Sequence, residues 1–448
     1  MLVFENYKFS FANTKLDGTT RWKCVIRSCS VKLYTNENDE ILKNENDSNI
    51  NHNHNPYETK IIDRQIINTN CKRKATEDIF VRPKKIIFKE IQQKNCSAEF
   101  NETDIKCLRK NLYEHRRKTL PVNPTSIQEV HEALENLDVK TISGESFLIL
   151  NDSKKHIIIF SCQTNLTFIN KVDTIYMDGT FKYCPRFFLQ MFTIHGWKNG
   201  HYIPLIFCLL PDKSFETYLF TLRCIVNKCN LLFSPKFVTV DFEISIHKAI
   251  VEIWPDSKII GCRFHLTQSW FRQVQSLGLV SEYKNDFSEI GNFIKYTFGL
   301  LFLNPGDVED CFVEDLMAIC PDDDKLKSYC DYLTDTYISE ESIFPPTNWA
   351  SSSSELTRTT NACESFHSYF NQCFYKESPP IMYWLNIIHE IQTETYVKIR
   401  SVDIPKFPKD GKVRSRQDKN QINITKYERG EITRIEFIKR MCYNYKKN

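Results

Sequence analysis

No run in these 448 residues approaches 18 uncharged apolar positions, so the sequence offers no membrane-spanning helix. The opening MLVFENYKFSF has no basic segment leading into a long apolar core, and no secretory leader is expected. Internal repeats are absent, and the one low-complexity patch is the Asn-rich NENDSNINHNHNP from Asn44 to Pro56. Paired disulfides are also not expected, because the 17 cysteines are odd in number and irregularly spaced. They suit reduced thiols plus a metal site, and hence the cytosol or nucleus. A chain of this length buries enough core to fold without such staples.

Net charge is nearly lacking as a total, at +3, but its distribution is uneven. Cys71 to Leu120 holds 14 Lys or Arg against 7 acids, and Lys406 to Asn448 holds 13 against 5. Gly306 to Glu341, in contrast, holds 12 acids and 2 bases. The basic segments can follow a phosphate backbone, although a charge run is also what a solvated face looks like.

Residues 1–56 alternate apolar and polar positions, as short strands of a small sheet do. Residues 57–120 read as a basic polar linker, with KRK at Lys72–Lys74 and RPKK at Arg82–Lys85 as a candidate nuclear address. A helix is predicted to open at Thr125 or Ser126, with Gln128 or Glu129 closing a capping box. Residues 121–170 then lead through the strand-like SFLIL and KHIIIF into TIYMDGTF, FFLQMFTIHGW and HYIPLIFCLL. SFETYLFTLRCIVNKC has helical periodicity; KFVTVDFE and KIIGCRF read as strands, each followed by a helix. Helical patterns dominate from about 280 to 400, and residues 376–448 are helical and basic. The expected class is α/β (α+β), a mixed sheet flanked by helices and preceded by a small β-rich domain.

Cys24, Cys29, His52 and His54 supply two thiolates and two imidazoles, the complement of a tetrahedral structural zinc site. In an extended segment, residues two apart point the same way, so His52 and His54 can reach one ion. The alternative is two buried cysteines and a chance pair of histidines. Phe4, Tyr7, Trp22, Cys24, Cys29, His52 and His54, in this order, resemble the FLYWCH zinc finger over residues 1–56. That resemblance implies Zn²⁺ on the four ligands and recognition of nucleic acid or protein.

Asp178 stands inside the strand-like TIYMDGTFKY, Asp241 ends KFVTVDFE before a helix, and Glu364 lies in the helical RTTNACESFH. Asp178-Gly179 alone reads as a turn, with Gly179 bending the chain toward the next strand. Two strand aspartates and a helix glutamate can instead form the acid cluster that holds two divalent metals for phosphoryl transfer. The ordered motifs Asp-Gly-Thr-Phe, Thr-x-Asp-x-Glu, Cys-x-x-His (Cys262, His265) and Thr-Asn-x-x-Glu-x-x-His (ending at His367) resemble the transposase domain of Mutator-like elements, the MULE family, from about Phe147 to Phe370.

This resemblance implies a ribonuclease H-like fold over residues 171–375, with a helical insertion at about 270–355. It also implies a DDE triad of Asp178, Asp241 and Glu364 binding Mg²⁺ or Mn²⁺. DNA at transposon ends and targets would be the partner, the chain would self-associate, and the location would be nuclear. Cys262 and His265 are left between a second zinc site and packing. His367 is left between orienting Glu364, approaching DNA and filling the core. A domesticated DNA-binding regulator and a zinc-containing interaction protein are the competing readings.

Overall fold

The computed structural model describes residues 2–38, 40–42, 51–77, 81, 83–94, 100–119, 123–352, 361–374, 376–405 and 411–442, without the side chains of 119, 361–364, 411–414 and 416. The chain divides into two compact units, Met1–Val122 and Asn123–Asn448. No helix among the described residues is long and apolar enough to cross a membrane.

The first unit opens with an antiparallel sheet, β1 (Leu2–Phe4), β2 (Tyr7–Thr14), β3 (Thr20–Cys24) and β4 (Lys32–Thr35), in that order. Its fully buried apolar core is small: Phe9, Cys24 and Leu33. The stretch expected to be a linker instead carries three helices, Thr59–Glu77, Pro83–Gln93 and Glu102–Thr119. They share a core of Ile67, Cys71 and Ala75 with Ile86, Ile87, Ile91, Leu108 and Leu112. Ile67, Cys71 and Ala75 lie four residues apart and so share one helical face. Buried Glu90 pairs with Lys74, and buried Asp104 with Arg64 at 2.8 Å. Basic composition hid this helix bundle, whose packing buries two acids, Glu90 and Asp104, and one cation, Arg116, while most of its other charges stay at the surface.

The second unit is built on a seven-stranded mixed sheet. Its strands are β5 (Leu148–Asp152), β6 (Ile157–Phe160), β7 (Thr174–Thr180), β8 (Gln190–Lys198), β9 (His201–Leu210), β10 (Phe237–Val240) and β11 (Lys258–Gly261). Their order is β11-β10-β7-β8-β9-β6-β5. β7 runs parallel to β10 and antiparallel to β8, and β10 runs parallel to β11. From β7 the chain first builds outward through β8 and β9, then returns to add β10 on β7's other side. The β7/β10 boundary is therefore a switch point, and the crevice outside strand carboxyl ends at such a point is where open α/β sheets bind ligands.

The strand predictions correspond to observed strands, and the helix opening at Thr125 or Ser126 is observed as Ile127–Glu135. Ser126 Oγ accepts from Glu129 N–H, and Glu129 accepts from Thr125 N–H at 2.8 Å. The expected bend at Asp178-Gly179 is not present. β7 continues through Gly179, which pairs with Phe192, and ends at Thr180. A Cβ at Gly179 would lie 2.5 Å from Gln190 Oε1, so glycine serves close packing here. The tight hairpin is Asn199-Gly200, between β8 and β9, with φ of 51° and 79°.

Helices from Arg263–Ser276 to Pro346–Asn348 form a second core around Trp270, Tyr329 and Trp349. The C-terminal helix Arg434–Met441 belongs to this same core through Phe437, Ile438 and Met441. There Arg434 pairs with Glu314 at 2.8 Å and with Asp315, joining the basic C-terminal region to the acidic stretch.

Candidate active site and metal centre

Side chains alternate along β7. Ile175 and Met177 enter the core shared with helices Phe215–Lys228 and Ile244–Ile253, whereas Asp178 turns to the opposite face. There it meets helix Asn361–Gln372: His367 Nδ1 lies 3.2 Å from Asp178 Oδ2. Asp178 Oδ1 accepts from the N–H of Gly179 at 2.8 Å. Behind it, the Thr193 hydroxyl donates to the Asp178 carbonyl at 3.2 Å, and His195 Nε2 lies 2.9 Å from that hydroxyl. Burial first, then the charges of His367 and Lys398, holds the His195 imidazole well below its usual range, so it is a neutral support.

Asp241 directly follows β10. The offset of 63 that pairs Phe237 with Thr174 and Thr239 with Tyr176 also places Asp241 opposite Asp178. The offset pairing Val240 with Gly261 carries the row on to Cys262, whose N–H donates to the Val240 carbonyl at 2.8 Å. Two acids and Cys262 thus lie side by side at the carboxyl ends of three adjacent parallel strands, at the switch point. Burial pushes the Asp241 carboxyl up to about 6; Asp178 and Glu243 add to this, and His265 and Lys213 oppose it. His265 sits on the first turn of Arg263–Ser276. Burial lowers its basicity, but Cys262, Asp178 and Asp241 outweigh this and hold it at about 9. His247 Nε2 donates to the Asp241 carbonyl at 2.8 Å and fixes that corner.

The structure thus brings together Asp178, Asp241, Cys262, His265 and His367. Glu364 lies on the same helix as His367, one turn earlier, and its side chain is outside those described. Sequence reasoning missed Lys213, which lies 2.7 Å from Glu243 Oε2 and 4.6 Å from the centre of the Phe181 ring. Its signal was weak, since it lies 28 residues before Asp241 in a loop with no motif. The oxygen-rich set of Asp178 and Asp241 suits a hard divalent cation, and the Asp178 charge is one of the influences that raise the Asp241 carboxyl, after burial.

In the first unit, Cys24, Cys29, His52 and His54 place their ligand atoms within 4.8 Å of one another, the one such group of three or more among the described residues. Cys24 Sγ is 3.3 Å from His54 Nε2, Cys29 Sγ 3.2 Å from His52 Nδ1, and the two ring nitrogens are 3.2 Å apart. A tetrahedral zinc with ligands at roughly 2.0–2.3 Å separates them by about 3.3–3.8 Å, so the cluster could bind zinc. His54 Nδ1 donates to the Asn55 carbonyl at 3.0 Å, which leaves Nε2 free to coordinate. Tyr7 stacks on His52 with ring centres 3.5 Å apart. Cys262 and His265 join no comparable group among the described residues.

Among curated proteins none matches this chain. Residues 174–269, which carry both aspartates and the Cys262–His265 pair, match the MULE transposase domain, and this supports a function of the transposase family.

Proposed function

We propose that the chain is a DDE-type DNA transposase that cuts phosphodiester bonds at element ends and joins the freed 3′ hydroxyl to target DNA. The observation carrying this is the in-register placement of Asp178 beside Asp241 at the sheet's switch point, inside the stretch that matches the MULE domain. On this reading, residues 171–375 form a ribonuclease H-like catalytic domain with its insertion at about 270–355. Asp178, Asp241 and Glu364 hold two Mg²⁺ or Mn²⁺ ions. When bound, those ions lower the pKa of the attacking water or hydroxyl and neutralise charge on the leaving oxygen. Asp178 is oriented by His367 and the Gly179 N–H, and Asp241 by His247 through its carbonyl. His265 and Lys213 place positive charge beside the acids, where a phosphate backbone would run.

Cys24, Cys29, His52 and His54 hold a structural zinc in a FLYWCH-type module that adds affinity for DNA. The protein acts in the nucleus as a homo-oligomer on paired ends. The test is metal-dependent cleavage of the DNA flanking the gene. Asp178→Asn, Asp241→Asn and Glu364→Gln should each lose the cut product in Mg²⁺ and Mn²⁺ while retaining gel-shift binding; cleavage at the wild-type rate by these variants would overturn the reading.

A further inference from the structure

The segment that follows the catalytic strand, residues 181–189, is unusually aromatic and basic for an exposed loop: FKYCPRFFL. Phe181, Phe187 and Leu189 are solvent-exposed at 45, 36 and 47 %. Phe187 has a φ of +82°, a backbone conformation that a bulky side chain rarely adopts and that clusters at functional sites. Arg186 lies over its ring at 5.6 Å.

A second segment, 376–381, follows the helix that carries Glu364 and His367. The two segments are tied by the Ser378 N–H donating to the Lys182 carbonyl at 2.9 Å and the Arg186 N–H donating to the Pro379 carbonyl at 3.2 Å. Between them lies a cavity of about 340 Å³ lined by Arg186, Phe187, Lys376, Pro380, Ile381 and Asn123. That volume falls within the range of small-molecule pockets. Of its polar groups, Glu377 pairs with Lys182 at 3.6 Å, whereas Asn123 Oδ1 is buried without a hydrogen-bond partner and neither Arg186 nor Lys376 pairs with an acid among the described residues.

We propose that this cavity receives an unpaired base of the DNA held at the acids. Phe187 stacks on the base, Asn123 Oδ1 accepts from an exocyclic amine, and Arg186 and Lys376 bind the flanking phosphates. Stacking on an aromatic ring and hydrogen bonding to the base edge are how extrahelical bases are held elsewhere, with unstacking energy as the cost. Both walls continue directly from elements that bear the proposed catalytic acids, so a base captured here would fix the strand entering the site. The proposal rests on the DNA-processing reading, but its assay involves no cleavage, so failure of one is distinguishable from failure of the other.

The test uses the full chain without added Mg²⁺ or Mn²⁺, so that nothing is cut, with two labelled 20-base-pair duplexes of the same arbitrary sequence, one fully paired and one carrying a single bulged adenosine. Wild type should bind the bulged duplex on the order of tenfold more tightly, because the unstacking cost is already met. Asn123→Ala and Phe187→Gly should bring the two affinities together and leave binding to the paired duplex unchanged. Phe187→Gly also relieves the positive φ, so its melting temperature should equal or exceed that of wild type. Equal affinity of wild type for both duplexes, or a tenfold preference retained by both variants, would overturn the proposal.

Discussion

Asp241→Asn is expected to stabilise the metal-free protein while abolishing its chemistry. Burial raises the Asp241 carboxyl from an ordinary 3.8 to about 6. The folded chain therefore binds this proton more tightly than the unfolded chain does. Between pH 4 and 6 the folded state carries more protons, so stability declines as pH rises through that window. Above it the full penalty of an ionised, buried carboxylate is present. A rise of that size corresponds to about 3 kcal/mol. Asparagine keeps the shape and removes the charge, so this penalty disappears at pH 8 and makes no difference at pH 4. Part of the gain is offset, because His265 loses one of the acids that hold it protonated. For a unit of this size the net effect is a rise in melting temperature of roughly 5 °C or less at pH 8. The assay is a series of thermal melts in EDTA from pH 4 to 8, comparing wild type with the variant. A gain of equal size at both ends of the series, or a loss at pH 8, would refute the reasoning. Adding Mg²⁺ should stabilise wild type and leave Asp241→Asn nearly unmoved, since a ligand that binds the folded state raises its stability by mass action.

Removing zinc with a strong chelator, or substituting Cys29→Ser, should expose the sheet of residues 2–35 to protease while Asn123–Asn448 stays resistant. The reason is that the buried core there is only Phe9, Cys24 and Leu33, and metal binding in such modules is folding free energy; unchanged proteolysis would argue against a structural metal. His367→Ala should lower cleavage by about 10- to 100-fold without changing the melting profile greatly, because it removes the group that orients Asp178 Oδ2; the measurement is single-turnover cleavage rate. Gly179→Ala should destabilise the second unit by about 1–3 kcal/mol in denaturant melts, through overpacking. Its Cβ meets Gln190 Oε1, and Gln190 is itself held by the Asp212 carbonyl and the Tyr218 hydroxyl.

The strands were legible because buried strands in a helix-covered sheet read as short continuous apolar runs; IIIF and HYIPLIFCLL are examples. Caps were legible for the same local reason: Ser126 and Glu129 satisfy the first turn of Ile127–Glu135 within four residues. The helices of residues 59–119 were not recognised, although Ile67, Cys71 and Ala75 repeat at the helical interval. Composition outweighed periodicity there. A polar, basic stretch becomes a packed bundle through the inward pairing of Glu90 and Asp104, which no local pattern announces. Docking of Arg434–Met441 onto the insertion core was also out of reach, since Arg434 finds its acidic partners more than a hundred residues away.

At the candidate site, residue types were legible and their arrangement was not. In the sequence, each aspartate reads equally well as a cap or a turn residue. What separates the readings is register. A slip of one residue in the β7–β10 pairing would turn one aspartate toward the opposite face, because side chains alternate with a period of two. The observed offset puts both acids in one row, and that row reaches Cys262, directly after β11, as well. His265 then projects from the helix that starts at this row, and His367 from a helix about a hundred residues later, so the acids receive a basic neighbour from each of two separate elements. Motif order alone predicts that such residues meet; the parallel pairing of β7 with β10 is the physical reason that they do.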